Sequence, residues 1–520
     1  MHTQVPRPIL FVGFVLAVTY VYVIGFWFVP SNIYLYRALM AGQVFLIWQV
    51  ATYIFTVWNT ERTFIRDDTH TPEVDIFVTV AGEPVEIVEE TLLAVKAMNY
   101  PNFHIYILND GFVAKKANWK EMEDLALKLN IGCITRTIPG GAKAGNINNA
   151  LKNTTSPLVC IFDADHIPDK EFLRETIPYF VDPSVGFVQT PQFYKNQNLN
   201  QVTRGAWEQQ ELFFGPICKG KNNYNAATMC GTNMVINRTA LNEVNGMCEE
   251  SIAEDFVTGL LMHSNGWKSI YIPKVLAVGL APEDFLSYYK QQLRWARGAL
   301  DVIFRYNVFF RRGLTVSQRI QYLSSASHFL SGVVVIMNAS FPIIFLMTGA
   351  QPFVVTTMAL AAIFLPYMFI TLYILQKSSG TTFTFRSLAF SMGGFGIHLS
   401  ALMSAITRQK SVFAITSKRA LSGNFWYLVI AHLVYIFLVL IAVVVGIYRE
   451  GLTPAIANNI AWAGVSCCIF VPFIFAALPQ KELVHEESLA SSVLTTSHMK
   501  SISQWMSSLR YMLIPKKQNR

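Results

Sequence analysis

The chain has 520 residues, of which 52% are apolar and only 14% charged, against about a quarter charged in an ordinary soluble domain. That deficit excludes a single soluble globule, and 13% aromatic residues exclude a disordered chain. The net charge of +8 fits an anionic membrane surface or a nucleic acid, while seven cysteines with no CxxC pair predict thiols in a reducing compartment rather than a disulfide framework.

Pro8 to Pro30 and Ala38 to Trp58 contain no Asp, Glu, Lys or Arg. Each can cross about 30 Å of hydrocarbon at about 1.5 Å per residue, which predicts two transmembrane helices within 1–60. The first run is too long for a signal peptide, and no small-residue cleavage site follows it.

Residues 72–318 have globular composition, with β-rich runs alternating with helical patterns. Strands are predicted at 75–80, 104–108, 132–136, 158–162 and 185–189, and helices at 85–98, 117–130 and 169–180. Strands alternating with helices imply an α/β domain with a mostly parallel, doubly wound sheet. Ligands of such sheets bind at the carboxyl ends of the strands. Asn109-Asp110-Gly111 follows one strand and Asp163-Ala164-Asp165-His166 follows another. Two carboxylates two residues apart suit a hard cation bridging to phosphate, or they form a plain surface turn. Ala253-Glu254-Asp255 precedes an amphipathic helix, where acidic residues also serve a helix N-terminus. Over 283–300 a helical pattern puts Gln291, Arg294 and Trp295 on one face. That face suits phosphate and a sugar ring, or a membrane surface with snorkelling Arg and an anchoring Trp.

Ile320 to Gln376 again carries no formal charge and divides into helices near 322–348 and 352–376. Ala420 to Tyr448 and Leu452 to Gln480 supply two more, giving four transmembrane helices within 320–480 and six spans in all. Segment 387–407 is uncharged but rich in Ser and Gly, and is read as an interfacial helix, with a seventh span as the alternative. His328 and His432 fall inside spans, facing a cavity or simply packed. The stretch 377–419 holds six basic residues and no acid. By the positive-inside rule it is cytosolic, and six spans then place 59–319, both termini and the tail 481–520 on the same side. The basic surplus is thus assigned to membrane topology, with no nucleic-acid partner.

Taken together in this order, these pieces resemble the family 2 processive glycosyltransferases, in their cellulose synthase-like branch. Asp110, Asp163-x-Asp165, Glu254-Asp255 and Gln291-x-x-Arg294-Trp295 match the family's D, DxD, TED and QxxRW series. Ala142-Lys143-Ala144-Gly145-Asn146, Gln189-Thr190-Pro191, Cys230-Gly231-Thr232-Asn233 and Gly279-Leu280-Ala281-Pro282-Glu283 extend the match. Phe413-Ala414-Ile415-Thr416-Ser417-Lys418 is similar to the family's FxVTxK gating loop, here 411–419. Departures are Asn109 for the first acid of the pair before glycine, Ala253 for the Thr of TED, and Val80-Ala81-Gly82-Glu83-Pro84 for a more usual Tyr-Asn-Glu-Pro. No required carboxylate is lost.

The resemblance implies a cytosolic GT-A-like domain inserted in a transmembrane bundle at the plasma membrane. It implies a UDP-sugar donor, UDP-glucose first, a growing β-glycan acceptor, Mg²⁺ or Mn²⁺, and lipid around the spans, with accessory subunits or a homo-oligomer compatible. Asp255 would be the general base. Glu83, Asp110, Lys143, Asp163, Gln291, Arg294, Thr416 and Lys418 would bind the nucleotide-sugar. Cys230, Gly231, Glu254 and Trp295 would hold the acceptor, and Asp165, with Asp163 and His166, the metal. The implied product is a β-glucan translocated across the membrane. Hyaluronan, mannan or transfer to a lipid-linked acceptor are the alternatives. A dehydrogenase is excluded, because Ala81-Gly82-Glu83-Pro84 stands where G-x-G-x-x-G would follow the first strand.

Overall fold

Two apolar helices open the chain, α1 (Arg7–Phe26) and α2 (Ile33–Val57), joined by a turn in which the Asn32 side chain accepts from the Tyr34 and Leu35 N–H groups. They belong to a computed structural model that describes residues 4–380, 382–408 and 423–479. The sequence-derived gating loop 411–419 and tail 481–520 lie outside the described residues.

The middle region begins with β1 (Val74–Val80) and α3 (Val85–Lys96), then β2 (Phe103–Asn109), α4 (Trp119–Leu129), β3 (Gly132–Thr135), α5 (Ala142–Leu151) and β4 (Leu158–Asp163). After β5 (Val185–Gln189) come α6 (Gln201–Leu212), β6 (Met234–Asn237), α7 (Glu254–Ser264), β7 (Lys268–Tyr271) and α8 (Phe285–Phe304). The seven strands form one sheet in the order β7-β5-β6-β4-β1-β2-β3. All neighbours are parallel except β6, which runs antiparallel to both β4 and β5. Alternation along β1 explains the layering. Val74, Ile76, Val78 and Val80 pack on Val88, Leu92 and Val95 of α3, while Phe77 joins Ile147 and Ala150 of α5 on the other face. Helix 169–180 is shorter than expected: an α-helix spans Phe172–Thr176 and a 3₁₀ turn covers Ile177–Val181, where Pro178 lacks the N–H that an α-turn needs.

Register sets the functional rim. Thr79 pairs with Asp163, Val80 with Asn109, and Asn109 with Thr135. The carboxyl ends of β1 to β4 are therefore level, and the residues just beyond them face one another.

Beyond α8 the chain continues as α9 (Val316–Ser327), α10 (Ser331–Thr348), α11 (Thr357–Ser378), α12 (Phe385–Gly393), α13 (Phe395–Ile406), α14 (Ile430–Glu450) and α15 (Pro454–Ala476). Among the described residues, seven helical stretches are long and apolar enough to cross a membrane, Phe385–Ile406 among them. That stretch is two helices meeting at Gly394, not one. Phe390 of α12 lies against Gly205 of α6, where any Cβ would come within 2.5 Å of its ring. Thr384 and Ser387 donate to buried Glu208 of α6 at 2.5 and 3.0 Å. On α13, Ala401 and Ala405 pack with Ala296 and Leu300 of α8. The sheet domain and the helical bundle also meet at buried Lys221, whose ammonium donates to Thr228 and to Ser325 of α9 at 3.0 and 2.5 Å. His432 is a packed histidine, its Nε2 2.7 Å from the Gly393 carbonyl. The His328 ring stands 5.8 Å from that of His398.

One buried ion pair anchors the sheet. Asp75 on β1 meets Arg238 at 2.6 Å and accepts from the Ser156 N–H and hydroxyl at 3.0 and 2.8 Å. Asp75→Ala strands a buried guanidinium and is expected to cost about 3 kcal/mol. The check is a lowered apparent Tm of the purified protein in detergent.

Candidate active site

The strand-end residues line one cleft with a volume of about 350 Å³. Its walls include Glu83, Asp110, Lys143, Asp163, Asp165, His166, Cys230, Gly231, Glu254, Asp255, Gln291, Arg294 and Trp295. Every site residue singled out in the sequence thus meets here, apart from Thr416 and Lys418, which lie outside the described residues.

At the β2–β3 end, Asp110 and Arg136 form a bidentate pair, Nε to Oδ1 at 2.7 Å and Nη2 to Oδ2 at 2.8 Å. Glu83 turns back to accept from the Ala81 N–H at 2.6 Å, which shapes the loop after β1. Asn146 on α5 donates to the Leu108 carbonyl at 2.9 Å and is among the residues lining the cleft.

At the centre, Lys143 in the first turn of α5 donates to Asp163 and, at 2.7 Å, to the Gly231 carbonyl. Gly231 is necessary here: its φ is +77°, and a Cβ would lie 2.8 Å from Asp255 Oδ2. The loop carrying it is pinned by Gln189, whose amide accepts from the Cys230 N–H at 2.9 Å and donates to the Thr232 carbonyl at 2.8 Å. Asp163 in turn gives its N–H to the Thr232 hydroxyl at 2.9 Å.

Glu254 and Asp255 occupy the N-terminal turn of α7 and face this ammonium. Enclosure by protein raises both carboxyls. Glu254 rises to about 7, through burial first and the Asp255 charge second. Burial raises Asp255, against the Phe256 N–H that it accepts at 2.7 Å and against the charges of Lys143 and Arg294. For Lys143, burial opposes the charge, yet Asp163, Glu254 and Asp255 together raise its pKa. Helix α8 comes close to this turn: a Cβ on Gly298 would sit 2.3 Å from that of Ala253. Gln291, Arg294 and Trp295, one to two turns earlier on α8, line the cleft.

Asp165 is buried and accepts from the Leu280 N–H at 3.2 Å. His166 Nδ1 lies 3.4 Å from Asp165 Oδ1, and neither ring nitrogen has a hydrogen-bond partner. Its Nε2 faces Gly279, where a Cβ would approach to 2.5 Å. Among the described residues no group of three or more His, Cys, Asp and Glu is arranged to hold a metal ion. Two strand-end carboxylates nevertheless fit a hard cation that takes its remaining ligands from a diphosphate. His166 fits less well, with Nε2 turned to backbone.

Sequence reading missed Arg136, Asn146, Gln192 and Tyr194 as cleft residues in their own right. Arg136 had a usable signal, a basic residue at a strand's carboxyl end. Asn146 lay inside a quoted motif without a role. Tyr194 comes from a small sheet of Ile167–Pro168, Phe193–Tyr194 and Ala277–Gly279, and Gln192, just before that strand, donates to the Cys230 carbonyl at 3.0 Å. Strands that short have no periodicity to read.

The profile of the family described as Glycosyltransferase like family 2 matches residues 72–298, and that described as Cellulose synthase matches 242–477. Cellulose synthase 2 of Novacetimonas hansenii is 27% identical over 488 residues, 89% of this chain and 30% of that protein. The UDP-forming cellulose synthase catalytic subunit of Pseudomonas fluorescens is 31% identical over 342 residues, 64% of this chain and 45% of that protein. The chain spans less than half the length of the curated relatives it matches. Among solved structures, a mannosyltransferase from Pyrobaculum calidifontis in complex with GDP-Man and Mn²⁺ superposes with a TM-score of 0.50 at 16% identity, covering 72% of this chain and all of that one. That likeness shows a shared GT-A-like fold.

Proposed function

We propose, for a chain that belongs to the cellulose synthase-like glycosyltransferases of family 2, that it is a membrane-embedded, processive, inverting transferase. It would polymerise a UDP-sugar, UDP-glucose first, into a β-glucan and pass the product through its helical bundle. The observation that carries this reading is the convergence of Asp110, Asp163, Asp165 and Asp255 with Lys143, Arg294 and Trp295 on one cleft.

The roles follow from position. Asp110 takes the nucleobase, with Glu83 shaping the loop beside it. Gln291 and Arg294 take the diphosphate, with Lys143 and Asp163 beside it. Trp295, Glu254, Cys230 and Gly231 hold the acceptor sugar. Thr416 and Lys418 are proposed to close over the donor. The acceptor hydroxyl attacks the anomeric carbon as its proton passes to Asp255. The new glycosidic bond forms as the bond from carbon to UDP oxygen breaks, and UDP leaves with the electron pair. One displacement converts an α-linked donor into a β-linked product. Arg294 and Lys143 stabilise the charge that develops on the leaving diphosphate. Mg²⁺ or Mn²⁺, held by Asp165 with Asp163, would add Lewis-acid neutralisation of that diphosphate.

For the membrane, we propose two helices within 1–60, a cytosolic domain at 72–318, four spans within 320–480 and a cytosolic tail at 481–520, in the plasma membrane. Segment 387–407 is proposed to lie along the interface, since α12 and α13 pack on α6 and α8 of the sheet domain.

The test supplies purified protein in detergent with Mg²⁺ or Mn²⁺ and single labelled UDP-sugars, then digests any product with linkage-specific hydrolases. High-molecular-weight product from UDP-glucose, sensitive to a β-glucanase and abolished by EDTA, is expected. Polymer from another donor would redirect the product to a different β-glycan. Transfer to lipid alone would overturn processivity.

A further inference from the structure

Lys221 is a buried cation held by hydroxyls. It stands on the short helix Cys218–Asn223 and is 2% exposed. Its ammonium donates to Thr228 Oγ1 at 3.0 Å and to Ser325 Oγ at 2.5 Å. Among the described residues it makes no ion pair, and burial lowers its pKa to about 8. Enclosing an ammonium without a carboxylate is costly, and an apolar side chain of like volume would fill the space without that cost. What the ammonium adds is direction, with two of its three N–H groups spent on the two hydroxyls.

Those hydroxyls belong to different parts of the protein. Thr228 lies two residues before Cys230, and its carbonyl accepts from the Cys230 thiol at 3.4 Å. Cys230 and Gly231 then line the cleft. Ser325 is on α9, whose Ser324 and Gln321 bond to Thr52 and Thr56 of α2 at 3.1 and 3.0 Å. Gly220 brings the Lys221 turn onto α2: a Cβ there would lie 2.1 Å from the Thr56 carbonyl. Lys221 is thus wedged against α2 and α9 and reaches from them to the loop that enters the cleft.

We propose that Lys221 is a positioning residue that fixes the loop 228–231 against α2 and α9, so that the acceptor chain is retained between additions and the product grows long. The inference rests on the reading that Cys230 and Gly231 hold the acceptor of a processive transferase. After each transfer the new chain end either stays or leaves, so product length is the ratio of the elongation rate to the release rate. A loop pinned at one depth slows release. Neither Thr228 nor Ser325 is assigned to the donor, so donor binding is left intact.

The experiment measures incorporation of labelled UDP-glucose and product size with the full chain in detergent and Mg²⁺. Lys221→Met is expected to shorten the mean product about tenfold, the scale for one charge-assisted hydrogen bond, while the donor KM stays within about twofold and kcat within about threefold. Thr228→Val and Ser325→Ala should each shorten it as well, and Thr228→Ser, which keeps the hydroxyl, should restore wild-type length. Adding Ser325→Ala to Lys221→Met should bring no further shortening, because the contact is already gone. The Thr228 and Ser325 variants carry the test if Lys221→Met fails to fold. Wild-type length in Lys221→Met or in Thr228→Val, or a fall in kcat large enough to account for the shortening, would overturn the proposal. A wild-type protein that makes no polymer from UDP-glucose would overturn the underlying reading instead.

Discussion

Asp255→Asn should lower polymer synthesis by about 10³-fold, within the range for loss of a positioned general base, while UDP affinity stays within about threefold. The asymmetry follows from where the two carboxylates of α7 sit. Burial first and the Asp255 charge second raise Glu254 to about 7. Burial raises Asp255 as well, while Lys143 and Arg294 hold it back. Glu254→Gln keeps the shape of the protonated side chain and should retain activity to within about tenfold. In the wild type, kcat should rise with pH along an acid limb, because the base acts only when deprotonated. Initial rates of labelled polymer formation between pH 5 and 8, with UDP titrations on the same preparations, check the pair. If Glu254→Gln loses as much as Asp255→Asn, the base assignment is reversed. A UDP affinity that collapses in Asp255→Asn would mean the variant has lost the cleft rather than the chemistry.

The sheet was legible where its strands are buried on both faces. Val74–Val80 and Leu158–Asp163 read as nearly unbroken apolar runs, and each ends in the level rim that carries a functional residue. Helices α3 and α4 were legible from their periodicity. Strand β6 was not, because four residues inserted antiparallel between β4 and β5 leave no local sign of the pairing partner. Helix α5 was hidden by its composition: Ala-Lys-Ala-Gly-Asn-Ile-Asn-Asn-Ala-Leu has one apolar turn and reads as a motif before it reads as a helix. Strand-end carboxylates announced the cleft because a rigid apolar strand ending in Asp is a chemical signal in one dimension. Arg136 is the instructive miss. Its partner lies 26 residues away on the adjacent strand, and only register brings the two ends together. The membrane helices were legible as charge-free runs, but not their breaks. The 3₁₀ turn His328–Leu330 between α9 and α10 follows from packing against α8 and α13, which no single span encodes.

Removing Lys143 should produce the second large effect. Its ammonium touches Asp163 and the Gly231 carbonyl, and its field reaches Glu254 and Asp255. Lys143→Met leaves a cluster of carboxylates without its central cation. The expected loss in kcat is about 10²- to 10³-fold, the scale for deleting one preorganised electrostatic contact. A second signature separates this from simple misfolding. Lys143 lowers both Glu254 and Asp255, so without it both titrate at higher pH. The acid limb of the rate profile should therefore move to higher pH. Stability carries the same sign. Glu254 rises on folding from 4.5 to about 7, so it favours the folded protein most below 4.5 and less as pH climbs through 7. In Lys143→Met that decline should extend to higher pH and grow, giving a Tm that falls between pH 6 and 8 more steeply than in wild type. A variant whose rate profile keeps its wild-type acid limb would show that Lys143 acts on the donor alone and leaves the two carboxylates of α7 untouched.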